Sequence, residues 1–366
     1  MKNTFGNSLH LTVFGESHGP AVGAVIDGLA PGIKADEEKI AFALYKRRPF
    51  SDISTPRREK DEFSILSGVY NGYTSGSPLC IVIPNRDVRS EDYGEGFASV
   101  RPGHADYTAF RKYNGFSDPR GGGHFSGRIT AAVCAAGSII TEALAEKGIK
   151  IGTHIKKLAG VNDREFGDLD EDIEILGGKR FAVLDDAGSE EMTALIRNAA
   201  ENGKSVGGVL ETAVTGLDAG TGEPFFDSVE SVISHAMFSI GGVKGVEFGA
   251  GFGFADMTAP DSNDAFRCEN GKIYTLTNNN GGVNGGITNG MPLIFRCAVK
   301  PTPSVSSPQQ TVDVRNGGNI ELNVRGRHDP CIVHRVRAVV DALTAFCVAD
   351  LLCARYGTEY LAGKRK

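Results

Sequence analysis

Apolar and polar positions alternate from the first residues of this chain. Residues 9–14 and 21–27 read as two strands around the turn Gly15-Glu16-Ser17-His18-Gly19-Pro20. Asp36 predicts a capped helix running to Tyr45, and 63–70 with 79–84 read as a further strand pair. A short helical pattern covers 107–113. The main helix is expected over 126–147, with Ile129, Val133, Ile139, Ile140, Ala143 and Leu144 as its apolar stripe and Gly148 closing it. Ala132, Ala135, Ala136 and Gly137 leave room for another element to come close.

The second half predicts a strand after Ile149, a polar loop, a helix over 189–202 and a strand over 206–215. A helix over 227–240 follows, then strands at 246–248 and 292–299. A last long helix spans 332–356, with Asp329 as its expected N-cap and Pro330 at the first helical position. The tail 363–366 is expected to fray. Helices mixed with sequential, antiparallel strand neighbours predict an α+β fold.

Composition narrows this picture. A chain of 366 residues with 40% hydrophobic positions can bury a sizeable core. No uninterrupted apolar run reaches ~18 residues, the length that spans a bilayer, and the N-terminus lacks the pattern of a signal peptide. The expectation is a cytoplasmic protein without a membrane partner. The net charge of −6 argues against nucleic-acid binding through general phosphate attraction. Seven cysteines without a CxxC pair are expected to be reduced core thiols, with no metal bound.

Chemistry gathers in a few glycine-rich stretches. RGGGHFSGR at 120–128 has three successive glycines flanked by Arg120 and Arg128, and it leads into a helical pattern, which suits an anion. It matches neither a Walker A loop nor a GxGxxG turn. His18 and His104 sit in tight turns, His104 within RPGHAD. Arg47 and Arg48, with Arg57 and Arg58 beyond, form a basic patch that is either solvated or phosphate-gathering. NNNGGVNGGITNG at 278–290 runs into an apolar strand, which favours an ordered loop over a linker.

Taken together, GESHG at 15–19, RPGHAD at 101–106, RGGGHFSGR at 120–128, NNNGGVNGGITNG at 278–290, KPTPS at 300–304 and GRHDPC at 326–331 resemble the signature of the chorismate synthase family, in order and over nearly the whole chain. The resemblance implies one domain over 1–366, a β-α-β sandwich of antiparallel sheets layered with long helices, assembled as a homotetramer. It implies a lyase reaction of aromatic amino acid biosynthesis, the trans-1,4 elimination of phosphate from 5-enolpyruvylshikimate 3-phosphate to give chorismate. The cofactor implied is reduced FMN, with no net redox change.

By the same resemblance His18 is the proton donor to the departing phosphate, and His104 protonates or stabilises the reduced flavin. Asp329, helped by Ser17 and Ser126, assists removal of the ring proton. The flavin contacts implied are His124, Phe125, Ser126, Gly241, Gly242, Gly285, Lys300, Pro301, Thr302, Pro303, Ser304 and Arg327. Arg47, Arg48, Arg120 and Arg128 are the candidates for the substrate's acidic groups. Ile53 stands where relatives often carry a further arginine, so no anion or pyridine-nucleotide contact carries over there. An external flavin reductase is the expected partner. Two other readings stay open on the residues alone: an ordinary FMN oxidoreductase, and a non-catalytic flavin- or phosphate-binding protein.

Overall fold

The computed structural model describes residues 2–55, 59–87, 99–324 and 328–363. Arg57, Arg58 and Arg327 therefore lie outside the described residues, as does most of the basic tail. Ten strands build two five-stranded sheets. The first joins β1 (Thr4–Phe5), β2 (His10–Gly15), β3 (Ala21–Asp27), β4 (Ser64–Ser67) and β5 (Leu79–Pro84) in the order β1-β2-β3-β5-β4. The second joins β6 (Lys150–Leu158), β7 (Val161–Asn162), β8 (Gly208–Thr215), β9 (Val243–Phe248) and β10 (Leu293–Val299) in the order β9-β10-β8-β6-β7. Every pairing within the two sheets is antiparallel.

Among the described residues, seven α-helices accompany them: α1 (Glu37–Arg47), α2 (Asp106–Lys112), α3 (Thr130–Ala145), α4 (Leu169–Gly178), α5 (Asp186–Glu201), α6 (Val229–Ser239) and α7 (Val333–Tyr356). Helix α3 packs on β3 and β5, α7 packs on β6 and β8, and α3 and α7 pack on each other. The layers therefore run sheet, helices, sheet: an α+β, β-α-β sandwich. The period of two explains each sheet's inner face. In β10, Leu293, Phe295, Cys297 and Val299 are buried, and in β5 Leu79, Ile81 and Ile83.

The middle layer accounts for the two helices with weak amphipathic patterns. Sandwiched between sheets, α7 is buried from Val333 to Cys353 on nearly every side, as a helix without a solvent face must be. Gly127–Ala145 is long and apolar enough to cross a membrane by length and composition, though polar residues interrupt it, and 78% of its apolar window is buried inside the protein. It is a core helix. Five cysteines are buried, whereas Cys268 is exposed and Cys80 half-buried, so not all of them are core thiols; all seven are free.

Two contacts fix the middle layer. A Cβ on Gly137 of α3 would come within 2.6 Å of the Ala342 Cβ and 3.0 Å of its backbone, so the missing side chain sets the α3–α7 separation. On α7, the buried Asp350 carboxylate accepts the backbone N–H groups of Asn7 (2.9 Å), Ser8 (2.7 Å) and Leu9 (2.8 Å), holding the first sheet's N-terminal edge.

Several local expectations are corrected. Helix α3 starts at Thr130, and the segment before it forms short 3-10 turns, Arg120–Phe125 and Gly127–Ile129. Ser126 caps the second of these, accepting the Arg128 N–H at 3.3 Å. Asp329 is not the cap of α7, which begins at Val333 behind Ile332 with no side-chain cap. Helix α4 was not foreseen; its Leu-Asp-Glu-Asp start reads as a polar loop, and Asp168 caps it. Ile53 is 2% exposed, so that position serves the core.

Alanine forms helix better than glycine by ~1 kcal/mol. At position 137 the sign should reverse, because overpacking costs about 1–3 kcal/mol. Gly137→Ala is expected to lower the midpoint of chemical denaturation; an unchanged or higher midpoint would show that α3 and α7 can separate freely.

Candidate functional site

The hairpin of β2 and β3 delivers the first functional side chains. Its turn is pinned from two sides. The Ser17 N–H donates to the Gly123 carbonyl at 3.0 Å, and the Asn85 amide donates to the carbonyls of Glu16 (2.9 Å) and Gly19 (2.8 Å). The His124 ring donates from Nδ1 to the Gly15 carbonyl at 2.7 Å. Ser17 and His18 are both buried as a result, and the Ser17 hydroxyl finds no protein partner among the described residues.

Gly121, Gly122 and Gly123 all take positive φ (57°, 85° and 53°), a region that side-chain-bearing residues enter at a cost. The need for glycine is also steric. A Cβ on Gly121 would lie 2.3 Å from His18 Cε1 and 2.5 Å from its Nδ1. One on Gly122 would lie 3.2 Å from His104 Cε1 and 3.3 Å from its Nε2. Two adjacent backbone units thus bring together histidines from two distant turns.

His104 follows the Pro102-Gly103 turn. Its Nδ1 is 2.6 Å from Asp106 Oδ1, and the Arg101 guanidinium grips the same carboxylate with Nε and Nη2, each at 2.8 Å. Burial raises the Asp106 pKa, but the bonds from Arg101 and His104 outweigh it and hold this carboxyl far below the usual range. Arg101 also reaches the Ser304 hydroxyl at 3.3 Å, and Lys300 Nζ donates to the Gly103 carbonyl. The 300–304 segment is therefore held against the His104 turn. Its Thr302 carbonyl accepts from Ser205 Oγ at 2.7 Å, and the Lys300 N–H donates to Gly242 at 2.8 Å. Gly242 in turn abuts Ile332.

A third group is ionic. Arg128 donates to Asn85 Oδ1 (2.9 Å) and the Pro84 carbonyl (3.1 Å), and pairs with Glu59 (2.9 Å) and, very closely, with Asp61. Arg47 lies 3.6 Å and Arg48 3.4 Å from the other Asp61 oxygen. Arg47 also donates to Thr130 Oγ1 (3.0 Å) and the Gly127 carbonyl (2.7 Å). Burial pulls the Arg47 pKa down to about 10, against the raising effect of Asp61. Asp329 joins this group through Arg335, whose Nη1 is 2.6 Å from Asp329 Oδ2 while Nε donates to the Arg47 carbonyl at 3.1 Å. The Thr55 N–H holds the other Asp329 oxygen at 2.7 Å.

The structure therefore gathers Ser17, His18, His104, His124 and Ser126 with the glycine loop, and joins Arg47, Arg48, Arg128 and Asp329 to it through Asn85 and Gly127. It sets Arg120 apart: half-exposed, it makes a two-pronged bond to Asp118 at 2.9 Å from each prong. Phe125 is 43% exposed and edge-on to Tyr113. Gly285 turns the tight hairpin of Val283–Asn284 and Ile287–Thr288, before the start of β10, whereas Lys300 follows its end. The seven-residue β10, about 20 Å long, lies between these two expected flavin contacts along the chain. Sequence reasoning missed Asp61, Glu59, Asn85 and Arg335, which carry no motif of their own. Asp106 stood inside the RPGHAD stretch, two residues from the histidine it holds.

Comparison with known proteins agrees with this arrangement. The family model described as chorismate synthase matches residues 9–353. A chorismate synthase of Dehalococcoides mccartyi is 44% identical over 354 residues, covering 96% of each chain. That of Thermococcus gammatolerans is 44% identical over 354 residues, covering 97% of this chain and 98% of its own, and that of Chitinophaga pinensis 45% identical over 350 residues, covering 96% of each. A crystal structure of chorismate synthase superimposes with a TM-score of 0.76 at 29% identity, over 96% of this chain and 94% of that one. With the family model and these relatives matching nearly its full length, the chain belongs to the chorismate synthase family.

Proposed function

We propose that this chain, acting as a single domain within a cytoplasmic homotetramer, is a carbon–oxygen lyase that converts 5-enolpyruvylshikimate 3-phosphate to chorismate and phosphate with the help of reduced FMN. The observation that carries the reading is the placement of His18 and His104 on adjacent glycines, beside a cluster of arginines. An elimination that expels phosphate needs a proton donor for the leaving group, a base for the departing ring proton, and cations for a highly anionic substrate.

The residues present suit a phosphate-bearing flavin. The Thr302 hydroxyl is buried without a hydrogen-bond partner among the described residues, Arg101 bonds Ser304 in the same segment, and Gly241 has open space where a side chain would stand. Lys300–Ser304 with Gly241, Gly242, His124, Phe125 and Ser126 would hold the cofactor, and Arg327 and Gly285 are proposed with them. When bound, reduced FMN would supply the electron density that eases cleavage of the carbon–oxygen bond.

The chain's own groups do the rest. His18 delivers a proton to the leaving phosphate, with the Ser17 hydroxyl beside it. Asp329, oriented by Arg335 and the Thr55 N–H, assists removal of the ring proton, with Ser126 as a helper. One C–O and one C–H bond break, a second ring double bond forms, and nothing is oxidised overall. Arg47, Arg48 and Arg128 hold the substrate's anionic groups; Arg120 is a candidate for an outlying contact. The nearly bare Phe225, Phe226 and Phe252, each more than 80% exposed, support burial against other subunits. A separate reductase would supply the reduced flavin.

With dithionite-reduced FMN under anaerobic conditions, the protein should release chorismate and phosphate in equal amounts over many turnovers per flavin. Absence of chorismate overturns the reading, and flavin oxidation matched to each turnover would favour an oxidoreductase instead. Replacing His18 or His104 by alanine is expected to lower kcat by ~10²–10⁴ while FMN binding, followed by flavin fluorescence, is mostly kept.

Two arginines should behave differently. Arg48→Ala, at the more open edge of the cluster, should raise the substrate KM with little change in Tm. Arg128→Ala leaves Asp61 and Glu59 without their closest cation, a loss of about 3–5 kcal/mol for a buried pair, so thermal denaturation should show a large drop as well as weaker substrate binding.

A further inference from the structure

Asp106 is in direct contact with His104, a proposed reacting histidine, and nothing in the reaction outlined above uses it. Its geometry is over-determined. The Arg101 backbone N–H donates to Oδ2 at 3.0 Å, Arg101 Nε to Oδ2 at 2.8 Å, and Arg101 Nη2 to Oδ1 at 2.8 Å. A planar fork gripping both oxygens fixes the plane of the carboxylate as well as its position. The third guanidinium nitrogen, Nη1, reaches Ser304 Oγ at 3.3 Å, so the clamp itself is tied to the 300–304 segment. Arg101, His104 and Asp106 side chains are only 12–18% exposed, which limits competition from water.

The remaining Oδ1 capacity faces His104 Nδ1 at 2.6 Å. Arg101 Nη2 also lies 3.1 Å from that nitrogen, and a guanidinium offers only donors. Nδ1 could accept from Arg101 only by leaving a carboxylate oxygen and a ring lone pair face to face at 2.6 Å. The arrangement is consistent when Nδ1 carries the proton and gives it to Asp106. Nε2 is then the free edge of the ring, and it is the edge that faces Gly122.

We propose that Asp106 is a positioning residue for this reaction, holding His104 in the Nδ1–H form with Nε2 turned to the glycine loop, while Arg101 locks Asp106 and couples the pair to the 300–304 segment. The role rests on the reading of His104 as a reacting group. Free histidine in water favours the opposite tautomer, so the acceptor at Nδ1 selects which nitrogen meets the cleft. Asp106 does not itself touch substrate or cofactor.

The test begins on the flavin-free full-length protein labelled with 15N-histidine, with His104→Ala used to assign the resonances. Wild-type His104 should show the Nδ1–H pattern of long-range 1H–15N couplings at a pH where the ring is neutral; an Nε2–H pattern overturns the proposal without any variant at Asp106. In Asp106→Asn, which keeps the size and one acceptor for Arg101, the Nδ1–H population should fall or be lost. In the loaded enzyme the same variant should lower kcat by at least about tenfold, within the ~10²–10⁴ a positioned acid–base group supplies, with substrate KM and FMN affinity changed less than twofold. A variant with wild-type tautomer, or with altered tautomer and wild-type kcat, overturns the positioning role. Should His104→Ala keep full activity, the reading of His104 fails instead, and the tautomer result stands separately.

Discussion

Two missing side chains govern the site. Gly121 and Gly122 are adjacent, yet the space where their Cβ atoms would stand is taken by different histidines, His18 from the β2–β3 hairpin and His104 from the turn before α2. Any larger residue at 121 would collide with His18, and its backbone would resist the left-handed conformation. The other contacts follow from holding that strip in place: Gly123 accepts from Ser17, His124 donates to Gly15, and Asn85 ties the hairpin turn to Arg128. The loop therefore acts as a spacer between two catalytic candidates, with Arg128 at its end.

Those arginines are arranged by carboxylates. Three guanidinium groups on Asp61 would repel one another in a buried setting without it, and the lowered pKa of Arg47 records the cost of burial there. Asp329 and Asp106 repeat the pattern, each fixed by an arginine, Arg335 and Arg101 respectively. In each case a cation of the chain sets where an acid of the chain can point. The site is thus a set of neutralised pairs, and its positive character comes from what each pair leaves unshared.

Much of this was legible in the sequence where the signal was local. The alternation of 9–14 and 21–27, the Asp36 cap and the apolar stripe from Ile129 to Leu144 each predicted an element close to the one formed. The motifs identified the histidines because glycine and proline mark tight turns wherever they occur. What stayed hidden depends on distance along the chain. Asp61 meets Arg128 across 67 residues, and nothing in the Lys60-Asp61-Glu62 run distinguishes a buried acid from a solvated one. Asp329 before Pro330 satisfied every local rule for a helix cap, yet Arg335 and the Thr55 N–H compete for its carboxylate and win. Helix α4 was lost because its acidic first turn resembles a loop until Ile173 and Leu176 find a partner to bury against.

Asp350 has a bearing on how such a chain is made. The N–H groups it accepts belong to residues 7–9, more than 340 positions earlier. During synthesis the first strands leave the ribosome long before the helix that secures them exists. Although α3 can already cover the first sheet, the edge at residues 7–9 must wait until α7 forms, and contacts of such separation slow folding. Until α7 forms, the surfaces it covers stay open to aggregation and to chaperones, and the helix works as the closure that secures the sheet's N-terminal edge.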